Sequence, residues 1–124
     1  MKSDTLAWTA RVLCTLPVLA LLSSGAFKIS QSPEVLDVLG KYGYEPSAVL
    51  PIGVFEVFCA VMFAVPRTAV LGAILIAGYL GGAAATHVAA GELPLAPVLI
   101  AVMAWVGISL REPRLRALLP FIRS

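Results

Sequence analysis

Four long apolar segments divide the chain, and no other feature constrains its fold as strongly. They span about residues 6–27, 50–65, 69–88 and 95–110. A helix needs about 20 mainly apolar residues to cross a bilayer core, and tilting or flanking residues accommodate shorter segments. Of the 124 residues 60% are hydrophobic and only 13% are charged, which is unlike a soluble domain. We therefore predict an all-α fold, a transmembrane four-helix bundle formed by one domain, residues 1–124.

The first segment allows a second interpretation, that of a cleaved signal peptide. Lys2 and Arg11 precede the apolar run, and Ser24-Gly25-Ala26 resembles a small-residue cleavage site. However, the charged lead is long and includes Asp4, and three further apolar segments follow. We therefore favour a first span that is retained.

The distribution of lysine and arginine predicts the orientation. One side of the bundle would hold both termini and the Pro66-Arg67-Thr68 turn, whereas the other two loops contain only Lys28 and Lys41. Cytoplasmic segments carry the excess of basic residues, so we expect a multi-pass protein of the cell membrane with both termini cytoplasmic. The basic tail, residues 111–124, is expected to lie on anionic lipid headgroups. The basic residues on the cytoplasmic side would be Lys2, Arg11, Arg67, Arg111, Arg114, Arg116 and Arg123.

The connection between the first two segments, residues 29–47, contains a helix start. Ser32 is a candidate N-cap, Pro33 suits the first helical position, and Glu34 places an acid in the first turn. Apolar residues follow at Val35, Leu36 and Leu39. The pattern predicts a short amphipathic helix over the outer end of the bundle, with a solvated loop as the alternative.

One acid, Glu56, lies inside the second apolar segment. If the hydrocarbon begins near Leu50, Glu56 lies roughly 9 Å inside it by helical rise. An ionised carboxylate at that depth is costly unless it is paired or faces a wet cavity, so we expect it to point into the bundle.

Small residues that permit close helix packing are Gly53 and Ala60 on the same face as Glu56, and Gly78 and Gly82 in the third segment. Dimerisation is the alternative role for the Gly78–Gly82 pair.

Three titratable residues from different segments, Lys28, Glu56 and His87, fall at similar depth near the outer side. A lysine and a carboxylate neutralise each other there, and a histidine titrates near physiological pH. Our hypothesis is a pocket that holds the polar head of a lipophilic ligand such as a quinone. The alternative is an interhelical ion pair beside an interfacial histidine. Further candidates for the pocket are Ser24, Tyr44 and Thr86.

Metal and nucleotide chemistry lack support, because the chain has no HExxH, CxxC or glycine-rich phosphate loop. No basic run interleaved with aromatics points to nucleic acid.

Cys14 and Cys59 fall at similar depth in adjacent helices, which allows a redox pair. We favour buried free cysteines acting as small apolar residues, since a disulfide at mid-membrane is hard to reach.

Short motifs in a fixed order suggest a family. They are Gly25-Ala26-Phe27-Lys28, Leu39-Gly40, Gly43-Tyr44-Glu45-Pro46, Gly53-Val54-Phe55-Glu56, Pro66-Arg67, His87 and the Arg111–Arg116 tail. With these motifs the chain resembles the DoxX-like family of small four-helix membrane proteins. One departure is that the family's compact Leu-Gly-Tyr-Pro turn is opened out here by Lys41-Tyr42 and Glu45.

The resemblance implies a helical membrane bundle but not one activity. Relatives include a subunit associated with thiosulfate–quinone oxidoreduction, proteins of oxidative-stress handling and receptor-assembly chaperones. We therefore expect an accessory subunit of a redox-linked membrane complex, and not an enzyme on its own. The alternatives are a scaffold or assembly chaperone, and a proton-coupled transporter that would need an oligomer. Expected partners are membrane lipids, a membrane or peripheral redox protein and a second copy of the chain.

Overall fold

The computed structural model describes residues 2–118, and this part of the chain is helical almost throughout and contains no strand. The prediction of an all-α fold is confirmed. Segment 119–124, including the predicted basic residue Arg123, and the side chain of Lys2 lie outside the described part. The helices are α1 (Lys2–Ser30), α2 (Pro33–Lys41), α3 (Pro46–Ala64), α4 (Ala69–Ala89), α5 (Leu95–Arg111) and α6 (Pro113–Arg116), with a 3₁₀ turn at Pro66–Thr68.

The helices suit a membrane in length and composition. Three of them are long and apolar enough to cross one, namely Asp4–Ser30, Pro46–Ala64 and Pro66–Ala89. The fourth, Leu95–Arg111, forms where it was predicted but has only 17 residues. Proline lies in the first turn of α3, and Pro66 follows the end of this helix.

The short helix α2 begins as the sequence predicts. The Ser32 hydroxyl oxygen accepts a hydrogen bond from the Val35 backbone N–H at 3.3 Å, which satisfies a donor that the first turn leaves free. Val35 is buried and anchors the helix against the rest of the protein. The alternative of a solvated loop is wrong.

The four long helices pack in a closed order around one core. α1 contacts α3 and α5, and α4 contacts the same two helices from the other side. We call the end where α1 begins and α5 ends the terminal end, and the end that carries α2 the loop end. The largest fully buried side chains in the core include Phe63, Leu21 and Ile76.

Two glycines allow adjacent helices to approach backbone to backbone. A Cβ at Gly53 would lie 2.8 Å from Lys28 Cβ and 2.9 Å from the Gly25 carbonyl oxygen, so α3 and α1 meet closely there. A Cβ at Gly72 would overlap the backbone of Phe63, where α4 meets α3. Because lipid offers little hydrophobic drive between helices, such close van der Waals contact is a main source of packing energy.

The prediction that Gly78 and Gly82 pack within the bundle is wrong. Both are exposed, and a Cβ at either position would meet nothing within 4 Å in the described part of the chain. The reason is helical phase, because α4 turns its Gly72, Ile76 and Leu80 face to the core. Gly53 and Ala60, in contrast, are buried in helix contacts.

Candidate functional site

The site centres on an ion pair between α1 and α3. Lys28 Nζ lies 2.8 Å from Glu56 Oε1, and only 14% of the lysine side chain and 3% of the glutamate side chain are exposed. Glu56 therefore points into the protein, as its place in an apolar segment requires. The pairing depends on the close approach at Gly53, which lies one turn before Glu56 in α3 and contacts Lys28 directly.

Two hydroxyl groups complete the hydrogen bonding of this pair. Lys28 Nζ donates to Ser24 Oγ at 2.6 Å, one turn earlier in α1. The Tyr79 hydroxyl donates to Glu56 Oε1 at 2.8 Å and so brings α4 into the network. Sequence reasoning missed Tyr79. The available signal was its position eight residues before His87, which places both on one face of α4.

Glu56 keeps one carboxylate oxygen without a partner. Among the described residues, Oε1 accepts from both Lys28 and Tyr79, whereas no hydrogen bond reaches Oε2. Every fully buried side-chain nitrogen or oxygen in this part of the chain has a partner. Oε2 is therefore accessible, and since Glu56 lines a cavity, this oxygen faces it.

The loop-end cavity has a volume of about 180 Å³ and is lined by residues of α1, α3, α4 and α5. Its walls are apolar where Leu21, Leu80 and Ile100 line it. The structure brings together four of the residues predicted for the pocket, and Tyr79 joins them. The four are Ser24, Lys28, Glu56 and His87.

His87 lines the cavity without bonding to the ion pair. Its Nδ1 lies 2.8 Å from the Ala83 carbonyl oxygen, one turn earlier in α4. A carbonyl only accepts, so Nδ1 is the donor in this contact, and Nε2 is an acceptor whenever the ring carries one proton. The ring also packs 5.3 Å from the ring of Tyr42.

Tyr44 and Thr86 do not line the cavity. Thr86 donates to the Gly82 carbonyl oxygen at 2.9 Å, so the Tyr44 hydroxyl is the donor in the 2.8 Å bond between the two residues. This bond ties the entry of α3 to the end of α4. Their predicted place in the pocket is therefore corrected to a structural contact beside it.

Tyr42 makes a second tie at the loop end. Its hydroxyl donates to Glu92 Oε1 at 2.6 Å, across 50 residues of sequence. This hydrogen bond, with a smaller contribution from the charge of Glu92, raises the pKa of Tyr42 above its ordinary value. The two tyrosines thus hold the connection before α3 against α4 and the turn that follows it.

The two cysteines are both buried and free. Within residues 2–118, no group of three or more His, Cys, Asp or Glu side chains is placed to hold a metal ion. What the site offers chemically is one free carboxylate oxygen, an ammonium group and an imidazole around a small, largely apolar space.

Comparison with known proteins identifies the chain. The model of the DoxX-like family matches residues 12–107, which contain the ion pair and every residue that lines the loop-end cavity. No curated protein and no solved structure matches the chain. The family match and the three long apolar helices fit a multi-pass membrane protein. The resemblance read from the sequence motifs is confirmed, and the chain belongs to the DoxX-like family.

Proposed function

We propose that the protein spans the cell membrane as a four-helix bundle with both termini in the cytoplasm. At 1.5 Å per residue, α3, α4 and α5 are about 28, 32 and 26 Å long, which suits a hydrocarbon core about 30 Å thick. Arginines cluster at the terminal end, whereas Lys28 and Lys41 belong to the loop end. This asymmetry supports a cytoplasmic terminal end.

Within this bundle the loop-end cavity binds the polar ring of a lipophilic ligand, with a quinone or its quinol as the candidate. The protein then acts as an accessory subunit of a redox-linked membrane complex. The observation that carries the proposal is the unpartnered Oε2 of Glu56, on a residue only 2% exposed, facing the cavity. Oε2 is an accessible acceptor that receives no hydrogen bond from the described residues, and a ligand hydroxyl would donate to it.

The size and lining of the cavity support this ligand class. A cavity of about 150 Å³ holds benzene in a protein core, so a volume of about 180 Å³ accommodates a single six-membered ring. A quinol hydroxyl would donate to Glu56 Oε2 or His87 Nε2. A quinone carbonyl would accept from Lys28, whose ammonium uses two of its three donors on Ser24 and Glu56.

Calorimetric titration of the detergent-solubilised protein with a short-tail benzoquinone and its hydroquinone tests this function. We expect saturable binding at one site. Glu56→Gln is expected to weaken quinol binding at least about tenfold, because one charge-assisted hydrogen bond is worth about 1.5–3 kcal/mol. Saturable binding with unchanged affinity in Glu56→Gln and His87→Ala would refute the proposal.

One control and one further test variant complete the experiment. Glu92→Gln makes the same chemical change at the same end, but Glu92 does not line the cavity, so ligand affinity should not change. Among residues 2–118 the His87 ring hydrogen bonds only to its own helix, so His87→Ala keeps the test informative if Glu56→Gln fails to fold. Circular dichroism establishes the helical content of each variant before titration.

A scaffold or assembly chaperone is the second candidate, and one observation favours it. Gly78 and Gly82 form an exposed GxxxG pair, and a Cβ added at either would meet no atom of residues 2–118 within 4 Å; helix association in membranes uses such pairs. Under this function, Gly78→Leu abolishes co-purification of a protein partner while ligand titrations stay unchanged. Purification of a partnerless monomer from native membranes would exclude it.

A further inference from the structure

A second cavity lies at the terminal end, between the beginning of α1 and the end of α5. Its volume is about 410 Å³, against about 180 Å³ for the loop-end cavity. Three arginines line it, Arg11, Arg111 and Arg116. The rest of the lining is apolar and consists of Leu6, Ala7, Ala10 and Leu110.

Packing brings these arginines together from distant parts of the sequence. α5 meets α1 closely where a Cβ at Gly107 would lie 2.8 Å from Cys14 Sγ, and one turn further along α5 comes Arg111. The chain then turns at Glu112, and α6 returns against the bundle with Leu115 buried in the core. Arg116, the next residue, is thereby held beside the beginning of α1.

The positive charge of this cavity is not compensated within the described residues. No carboxylate there lies within 4.0 Å of the guanidinium groups of Arg11, Arg111 or Arg116, and Glu112 pairs with Arg114 instead. Hydrogen bonds from Arg114 hold the pKa of the Glu112 carboxyl below its ordinary value, so this acid stays ionised and committed to Arg114. The Arg11 guanidinium lies 5.4 Å from the centre of the Trp8 ring, and this cation–π contact supplies no negatively charged partner.

We propose that the terminal-end cavity binds the phosphate group of one anionic phospholipid. Guanidinium groups present paired N–H donors that match phosphate oxygens, and an anion would relieve the repulsion among three neighbouring cations. The apolar half of the lining supports a lipid over a free anion, because inorganic phosphate has nothing to place against it.

This site goes beyond the function proposed above, since it is formed by other residues at the opposite end of the bundle. Basic pockets between helices on the cytoplasmic side are known to hold anionic headgroups. The lipid would join the two ends of the sequence, because Arg11 lies in α1 and Arg116 lies in α6.

Native mass spectrometry of the full chain in mild detergent tests the site. The protein is equilibrated with phosphatidylglycerol or phosphatidylcholine at matched concentrations, and in separate samples with inorganic phosphate or glycerophosphoglycerol. We expect one phosphatidylglycerol to bind in preference to phosphatidylcholine, and much weaker binding of both soluble anions. Arg11→Gln, Arg111→Gln and Arg116→Gln should each weaken phosphatidylglycerol binding about tenfold.

Arg67→Gln is the matched control, because Arg67 is exposed at the same end and lies outside this cavity. Ala7→Phe fills the cavity without changing charge, and it should also weaken binding about tenfold even if an arginine variant fails to fold. Equal weakening by Arg67→Gln would show diffuse surface attraction and overturn the proposal. So would equal affinity for phosphatidylcholine, equal affinity for inorganic phosphate, or full binding by a folded Ala7→Phe.

Discussion

Neutralising Glu56 is the perturbation whose effect the structure defines best. Glu56→Gln keeps the shape of the side chain but removes its charge, so the Lys28 ammonium loses its ion-pair partner and keeps the hydrogen bond to Ser24. Leaving one partner of a buried ion pair uncompensated costs about 3–5 kcal/mol. Because 14% of the Lys28 side chain is exposed and it borders a cavity, we expect the lower end of that range, about 3 kcal/mol.

A double-mutant cycle separates the ion pair from other effects of the substitution. Lys28→Met alone leaves Glu56 with the Tyr79 hydroxyl as its donor, whereas Lys28→Met/Glu56→Gln removes both charges. The double variant should be more stable than the sum of the single losses predicts, by about 1–3 kcal/mol. The free energy of unfolding is measured in mixed micelles by raising the fraction of a denaturing detergent and following helical content.

The reasoning fails if the single losses add to within about 0.5 kcal/mol, because contacting charges must show coupling. It also fails if Glu56→Gln destabilises the protein no more than Glu92→Gln. Glu92 is exposed, and replacing its charged acceptor by the neutral amide oxygen of Gln should weaken the hydrogen bond from Tyr42 by no more than about 1 kcal/mol.

Three further predictions follow from the helix contacts and the loop end. Gly53→Ala places a Cβ 2.8 Å from Lys28 Cβ and should lower the free energy of unfolding by about 1–3 kcal/mol. Gly78→Ala places a Cβ in open space and should not lower it. Equal effects of the two substitutions would contradict the packing argument. Trp105→Phe removes the 3.1 Å indole hydrogen bond to the Ala73 carbonyl and should lower that free energy by about 1 kcal/mol, while an unchanged value would show that the bond contributes nothing. The Tyr42–Glu92 contact raises the pKa of Tyr42 above 10.0, so its stabilisation is complete below that pH and is lost as pH rises through the higher folded-state pKa. In an absorbance titration of the phenolate, Glu92→Gln should shift the Tyr42 midpoint down toward 10.0, and an unshifted midpoint would refute the assignment.

Much of the site was predictable, because it depends on local sequence signals or on how deep each residue lies along an apolar helix. An acid within an apolar helix must face inward, and Lys28, at the end of the first apolar segment, was a partner at similar depth. The helix start at Ser32 is also a local signal, since a cap depends on residues within one turn.

The errors concern side chains whose neighbours depend on helix rotation. Gly78 and Gly82 have the spacing of a packing motif, yet rotation of α4 leaves them exposed and turns Tyr79 toward Glu56. Tyr44 and Thr86 reach the right end of the bundle but bond to each other beside the cavity.

The sequence by itself determined that the chain forms apolar helices, where they begin and end, and that Glu56 needs a buried partner. These properties depend on hydropathy, helical propensity and helix caps, and all three are set by residues close together in the sequence. The tertiary structure alone decided which faces meet, that one oxygen of Glu56 faces a cavity, and that three arginines from both ends of the chain line another. The physical reason is that helix rotation is set by close contacts such as Gly53 against Lys28 and Gly107 against Cys14, and these join residues far apart in sequence.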